Sequence, residues 1–413
     1  MTTGYLARSR CLPAAVLCLL GLACVLPARV VAQTAPAPGP AAGAPATPLA
    51  GTLRTPAVVA IGGTIRATSA GLPFPVRAQA LRGTVWRSVG VAAAGPEAVL
   101  RVRAPGRAGL LRLRARGADG SVSGVRRIRV RALTLAAVGD VNLGDRPGDL
   151  MARFGYGYPW ASVGATLRRA DLSLANLECA VTRRGRAQAK QYVFRGRPEA
   201  LRAMRAQAGI DVVNLANNHT GDFGDRGLLD TLRAVRSVGM TPVGAGTTEA
   251  AAYRPRVVQR LGLRVAFVGF STTLPFEFRA VGGNPGTAWG FADRVRQSVR
   301  RARRSADVVV ATFHWGLELA PREAARERAL AQVALRAGAT AVIGAHPHVL
   351  QPVRRPAGRL VAPSLGNFVF GAGTRATATT GILIAELGRG RVMGARLLPA
   401  VIRATRPVLR ERP

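Results

Sequence analysis

The sequence predicts an α/β domain of about 270 residues over 133–400, preceded by a small all-β, sandwich-like domain over 53–131. Two patterns carry this. Largely apolar runs at 134–138, 172–175, 210–215, 308–313 and 341–343 alternate with segments of helical composition, as expected for strands buried on both faces under helices. Before them the pattern is a period-two alternation broken by glycine, as in Leu111-Arg112-Leu113-Arg114-Ala115-Arg116. A hydrophobic fraction of 48% is ample for a packed core.

The chain opens on a targeting pattern. Arg8 and Arg10 form a basic start, 12–26 is apolar, and Val30-Val31-Ala32 before Gln33 suits signal peptidase. The apolar stretch is shorter than the ~20 residues of a bilayer span. The reading is a cleaved signal peptide over 1–32, with an uncleaved anchor as the alternative, and a secreted or cell-envelope address. Residues 33–52, rich in Ala, Pro, Gly and Thr, read as an extended spacer. Three of the four cysteines, Cys11, Cys18 and Cys24, fall in the signal, so a disulfide framework is excluded and Cys179 reads as a buried inert thiol.

In the 53–131 module, turn residues such as Gly117-Ala118-Asp119-Gly120 separate strands whose outward positions are arginine. Fifteen arginines against Glu97 and Asp119 leave it at +13. The whole chain is at +38 and would fall by three, to +35, on loss of Arg8, Arg10 and Arg29. Lys190 is its one lysine. Such a surface is either solvated habit or an attraction to an anionic polymer; the exported address and the absence of a recognition motif exclude nucleic acid. The module reads as a wall-binding unit or as a structural cap.

From Leu133 onward, helices are expected at 198–207, 224–238, 291–304 and 321–337, with Gly239 and Gly338 at C-caps. Strands return at 381–387 and 392–399, and 401–413 reads as a basic tail. All four histidines, His219, His314, His346 and His348, sit in short polar motifs at the ends of apolar runs. Asp140 and Glu178 occupy equivalent places, and ligands of open α/β sheets bind at the carboxyl ends of strands. Asp140, Glu178, Asn218, His314, His346 and His348 therefore form a candidate set for hard divalent ions held by mixed oxygen and imidazole ligands. Two ions bridged by one carboxylate, ~3.5 to 4 Å apart, need about this many ligands. Arg195 is a candidate carboxylate or phosphate clamp or an ordinary surface arginine, Trp315 a candidate stacking residue for substrate or a core residue, and Glu318 a support for His314. Asn142 reads as a polar filler or an extra ligand, and Ser364 lacks a spare base to become a nucleophile.

These residues also carry a resemblance. Gly139-Asp140-Val141-Asn142-Leu143-Gly144, Asn176-Leu177-Glu178, Tyr192-Val193-Phe194-Arg195-Gly196, Asn217-Asn218-His219 with Asp222-Phe223-Gly224, His314-Trp315-Gly316, Gly344-Ala345-His346-Pro347-His348 and Ser364-Leu365-Gly366-Asn367-Phe368 resemble, in order and spacing over 133–372, the CapA family of capsule or poly-gamma-glutamate synthesis proteins. That family resembles the calcineurin-like metallophosphatases. The resemblance implies a four-layer αββα metallophosphatase-like fold and two divalent ions of Mn, Zn or Fe. It also implies His346 and His348 divided between those ions, Glu178 in the bridging place, and His219 facing the leaving group as catalytic acid. Asn142 departs from the family, which usually has methionine there. The process implied is synthesis of a capsule or polyanionic envelope polymer. Expected partners are an anionic polymer or phosphorylated envelope substrate and membrane-bound capsule synthesis proteins. A metal-dependent phosphoesterase-like hydrolase is one reading, and a polymer-binding assembly factor without turnover is the other.

Overall fold

The structure, a computed structural model, describes residues 49–92 and 97–410, which fall in one compact unit. The expected signal peptide and most of the spacer lie outside the described residues. Among the described residues no helix is long and apolar enough to cross a membrane.

The first strands fold into two layers. Val58–Ala60, Arg126–Arg131, Gly109–Arg116, Arg77–Arg82 and Val85–Val91 form one, and Leu49–Arg54, Thr64–Ala70 and Ala98–Arg103 the other, with Val122–Ser123 pairing to both Gly109–Arg116 and Leu49–Arg54 so that the nine strands make one continuous sheet. Period-two alternation sends Ile65, Leu100, Leu113 and Ile128 into a shared core and the arginines between them to solvent. Leu49–Arg54 begins inside the stretch expected as spacer, because Leu53 is buried in this core and Thr52, Leu53 and Arg54 pair with 68–70.

The α/β region is built from two sheets. In the larger, Thr241–Val243, Val212–Asn214, Leu172–Leu177 and Leu133–Val141 run parallel, and Thr379–Gly388, Arg391–Arg403 and Arg406–Leu409 continue antiparallel. Residues 401–409, expected as part of a tail, thus complete this sheet: Val401 and Ile402 pair with Val408 and Pro407. The smaller sheet orders Arg256–Arg260, Leu263–Ser271, Val308–His314, Ala341–Ala345 and Leu360–Ala362.

Alternation within single strands assigns the layers. Leu133, Leu135, Leu172, Leu174 and Val212 meet Val265, Phe267, Val308 and Val310 between the sheets. Their neighbours face outward: Ala175, Leu177 and Val213 pack under Leu228, Leu232 and Val235 of helix Gly224–Ser237. On the other side Val309, Ala311 and Phe313 pack under Val295 and Val299 of Ala292–Ser305 and Leu330 and Ala334 of Ala325–Ala337. This is the αββα arrangement, with each buried Val, Leu or Phe worth about 1.5–3 kcal/mol. The helix expected from 321 starts at Ala325, where Glu327 accepts a hydrogen bond from the Ala324 backbone and fixes the first turn.

The β module is tied to the α/β region by backbone and charge. Ala60 N donates to Leu261 O and Thr64 N to Gly262 O, both at 2.8 Å, and Arg131 forks onto Asp171 at 2.6 and 2.7 Å.

Candidate metal centre

Asp140 sits one residue from the end of Leu133–Val141, Glu178 directly after Leu172–Leu177, His314 at the end of Val308–His314 and His346 directly after Ala341–Ala345. The first two strands belong to the larger sheet and the other two to the smaller, so the centre lies where the carboxyl ends of both sheets meet. Two glycines allow the close approach. A Cβ on Gly139 would lie 1.8 Å from Gly366 O, and one on Gly344 would lie 1.9 Å from Pro363 O. Gly344→Ala is therefore expected to destabilise the fold by about 1–3 kcal/mol, the cost of overpacking a filled interior. Thermal denaturation measures it, and an unchanged midpoint would mean that the 363–366 turn yields freely.

Asp140, Glu178 and His314 have no exposed surface, and His346 is 7% exposed. Ligand atoms of Asp140, Glu178 and His314 lie within 4.8 Å of one another, and so do those of Glu178, His346 and His348. Glu178 belongs to both groups. Its Oε1 is 3.5 Å from His314 Nε2 and 4.0 Å from His348 Nε2. Asn218 joins through Oδ1, 2.8 Å from His314 Nε2. All six residues expected as ligands thus converge, but His346 and His348 fall together in one group with Glu178, and are not divided between the two groups as expected.

The donor set fits a cation. Both carboxylate oxygens of Glu178 and Nδ1 of His346 are buried without a hydrogen-bond partner, and leaving a charge so placed is expensive unless it is paired or coordinates a metal. Burial, with the Asp140 carboxylate beside it, pushes Glu178 well above the usual carboxylate range. Burial would also raise Asp140, but His348, 3.3 Å away, together with the hydrogen bond from Asn176, holds Asp140 low, as Asp140 in turn holds His348 high against its own burial. Burial and the neighbouring imidazoles push His314 well below the usual imidazole range and His346 to about 4, which leaves both rings neutral, as ligation requires. His346 and His348 adopt φ of 97° and 58°, a left-handed backbone that costs of order 1–3 kcal/mol each and is retained where function demands a fixed orientation.

His219 approaches differently. Its Nδ1 is 2.7 Å from Asp222 Oδ2, which leaves Nε2 facing Glu178 Oε1 at 4.0 Å. Phe194 stacks on the ring at 4.1 Å and its backbone N–H donates to Asp222. Burial, opposed by Asp222, moves His219 below its ordinary value. Lys190 Nζ donates to Asp222 Oδ1 at 2.7 Å and to the Asn218 carbonyl at 2.6 Å.

Two readings, the Arg195 clamp and the Glu318 support of His314, are corrected, and Trp315 takes its core alternative. Trp315 is fully buried, stacks on Phe313 and donates to Pro363 O, so it closes the core and no substrate reaches it. Arg195 lies over the Phe223 ring at 3.8 Å and donates to Gly185 O, away from the ligand cluster, because Phe194 takes the inward position. Glu318 is exposed and makes no bond to His314; it borders a cleft of about 470 Å³ with Lys190, Tyr192, Asn218, His219 and Glu277. Asn142 Oδ1 accepts from Gly144 N–H and Ser364 donates to Val349 O, so both serve turns. Cys179 is buried, and its thiol is pushed up to about 12 by burial.

Asn176, Lys190, Asp222 and Asn367 were not among the expected site residues. Asn176 Nδ2 donates to Asp140 at 2.8 Å and lies 3.0 Å from His314 Nδ1, and Asn367 Oδ1 is 2.7 Å from His348 Nδ1. Asn176 is two residues before Glu178, hence on the same strand face, and Lys190 is the one lysine among 59 basic residues. Those two signals were available in the sequence.

Comparison with known proteins points to one family. The family model described as bacterial capsule synthesis protein PGA_cap matches residues 134–372. The capsule biosynthesis protein CapA of Bacillus anthracis is 30% identical over 259 residues, 61% of this chain and 63% of that protein. The PGA biosynthesis protein CapA of Bacillus subtilis is 31% identical over 265 residues, 63% of this chain and 70% of that protein. The chain thus spans less than two thirds of the B. anthracis relative. A 5'-nucleotidase precursor from Thermus thermophilus aligns over 67% of this chain and 54% of its own, at 17% identity and a TM-score of 0.38.

Proposed function

The chain belongs to the family of bacterial capsule synthesis proteins, and from that premise we propose that it is an exported, metal-dependent hydrolase of phosphoester type acting in the synthesis of a polyanionic envelope polymer. One observation carries the reading: Glu178 offers two buried, unpartnered oxygens to two ligand groups at once. Asp140, Glu178 and His314 would hold one divalent ion and Glu178, His346 and His348 a second, with Asn218 Oδ1 beside His314. Such ions, when bound, supply charge to the anionic transition state and activate water.

The chain's own residues do the rest. Asp222 holds Nδ1 of His219, so that Nε2 is the nitrogen able to pass a proton to a leaving oxygen. Lys190 fixes Asp222 and the Asn218 backbone together, so the acid and a ligand-bearing turn keep one geometry. The burial of the carboxylates and imidazoles excludes bulk water, which strengthens every charge interaction in the centre.

Metal content and hydrolysis of a chromogenic phosphodiester, measured on one purified sample, test the reading; metal without turnover would leave an assembly factor that binds polymer. His219→Ala is expected to lower turnover by ~10²-fold or more with metal content nearly unchanged. Loss of metal in that protein would make His219 a ligand.

A further inference from the structure

We propose a second, non-catalytic binding site: a groove of about 410 Å³ between the β module and the α/β region that takes a linear polyanion bearing repeated carboxylate or phosphate groups. One wall carries Arg66, Arg101 and Arg103 on Thr64–Ala70 and Ala98–Arg103, and the other carries Arg264 and Arg389. The volume falls in the ~300–1,000 Å³ range of ligand sites.

Its electrostatics call for an anion. Arg66 and Arg101 stand directly opposite in the antiparallel register, and like charges so placed destabilise a strand pair. Among the described residues neither has a hydrogen-bond or ion-pair partner. The one carboxylate of the groove, Asp307, is 3% exposed and already shared by Arg389 at 2.6 Å and Arg264 at 3.5 Å. Arg103 is turned onto Gly62 O at 3.1 Å. Two free guanidinium forks match carboxylate or phosphate oxygens in bidentate fashion. Five guanidiniums offer more donors than the roughly four lone-pair sites of a single carboxylate can accept, so the groove suits several linked anionic groups spanning both walls. The proposal deepens the expectation that the arginine-rich module meets an anionic polymer, and it is independent of the metal centre.

The test uses the full chain and two double variants that remove equal charge. Arg66→Thr/Arg101→Thr empties the groove's free pair, and Arg112→Thr/Arg127→Thr removes a pair equally opposed in register but outside the groove. Threonine keeps the β preference. Short poly-glutamate and linear polyphosphate are titrated separately at low salt. The first variant is expected to bind the preferred polymer about tenfold or more weakly, given the strength of charge-assisted pairs. Its ligand-free melting temperature should equal or exceed that of the parent. The second variant should bind within about twofold of the parent, since it keeps both forks of the groove. A preference for poly-glutamate assigns carboxylate, and one for polyphosphate assigns phosphate. Equal loss in both variants reduces the effect to net charge and overturns the groove, as does failure of both polymers to bind. Metal content and turnover of the first variant should match the parent, so this result stands or falls apart from the hydrolase reading.

Discussion

A Glu178→Gln protein is expected to purify folded and without bound metal. Glutamine keeps the shape of the side chain but removes its charge and turns one oxygen into an N–H donor, which repels a cation. Because Glu178 is the residue shared by both ligand groups, the loss should exceed the ~10- to 100-fold in affinity typical of removing a mere supporting contact. Stability supplies an independent readout. Any ion that binds only the folded chain stabilises it by mass action, about 2.7 kcal/mol at a hundredfold excess over Kd, so a chelator should lower the melting temperature of the parent. The variant should be indifferent to chelator, and its melting temperature should lie at or above that of the chelated parent, because a buried carboxylate with no partner has been neutralised. Stoichiometric metal in Glu178→Gln would sink the shared-ligand arrangement.

The second large effect is expected at Asp222→Asn. Asp222 has no exposed surface and gathers His219 Nδ1, Lys190 Nζ and the Phe194 N–H on its two oxygens. Asparagine leaves the volume intact, but it weakens the hold on the His219 tautomer and leaves the Lys190 ammonium without a counter-charge. Turnover should fall by ~10²- to 10⁴-fold, the range for loss of a correctly held proton-transfer group. Metal content should stay near that of the parent, because Asp222 touches none of Asp140, Glu178, His314, His346 or His348. A variant with turnover within about threefold of the parent would remove His219 from proton transfer altogether, since such a group is worth far more.

Asp140, Glu178, Asn218, His314, His346 and His348 were readable because apolar runs mark strands, and a polar residue just past such a run stands at the sheet's carboxyl edge. The substrate readings of Trp315 and Arg195 fail for a related reason. Each neighbours an inward residue, His314 or Phe194, and adjacent residues of extended chain point to opposite sides. Strand parity puts Trp315 with Phe313 under the helices and Arg195 on Phe223.

The sequence by itself determined the alternation of strands and helices, the edge positions of the ligand residues and the excess of arginine in the module. These follow from local chemistry, since burial on one or two faces imposes a period on the chain. Only the tertiary structure decided that His346 and His348 fall in one group with Glu178, that Lys190 and Asp222 lock His219, and that Arg66, Arg101, Arg264 and Arg389 share one groove. Those relations are Coulomb and hydrogen-bond contacts between residues far apart along the chain. Their distances are set by how two sheets and a β module pack together, which no local period encodes.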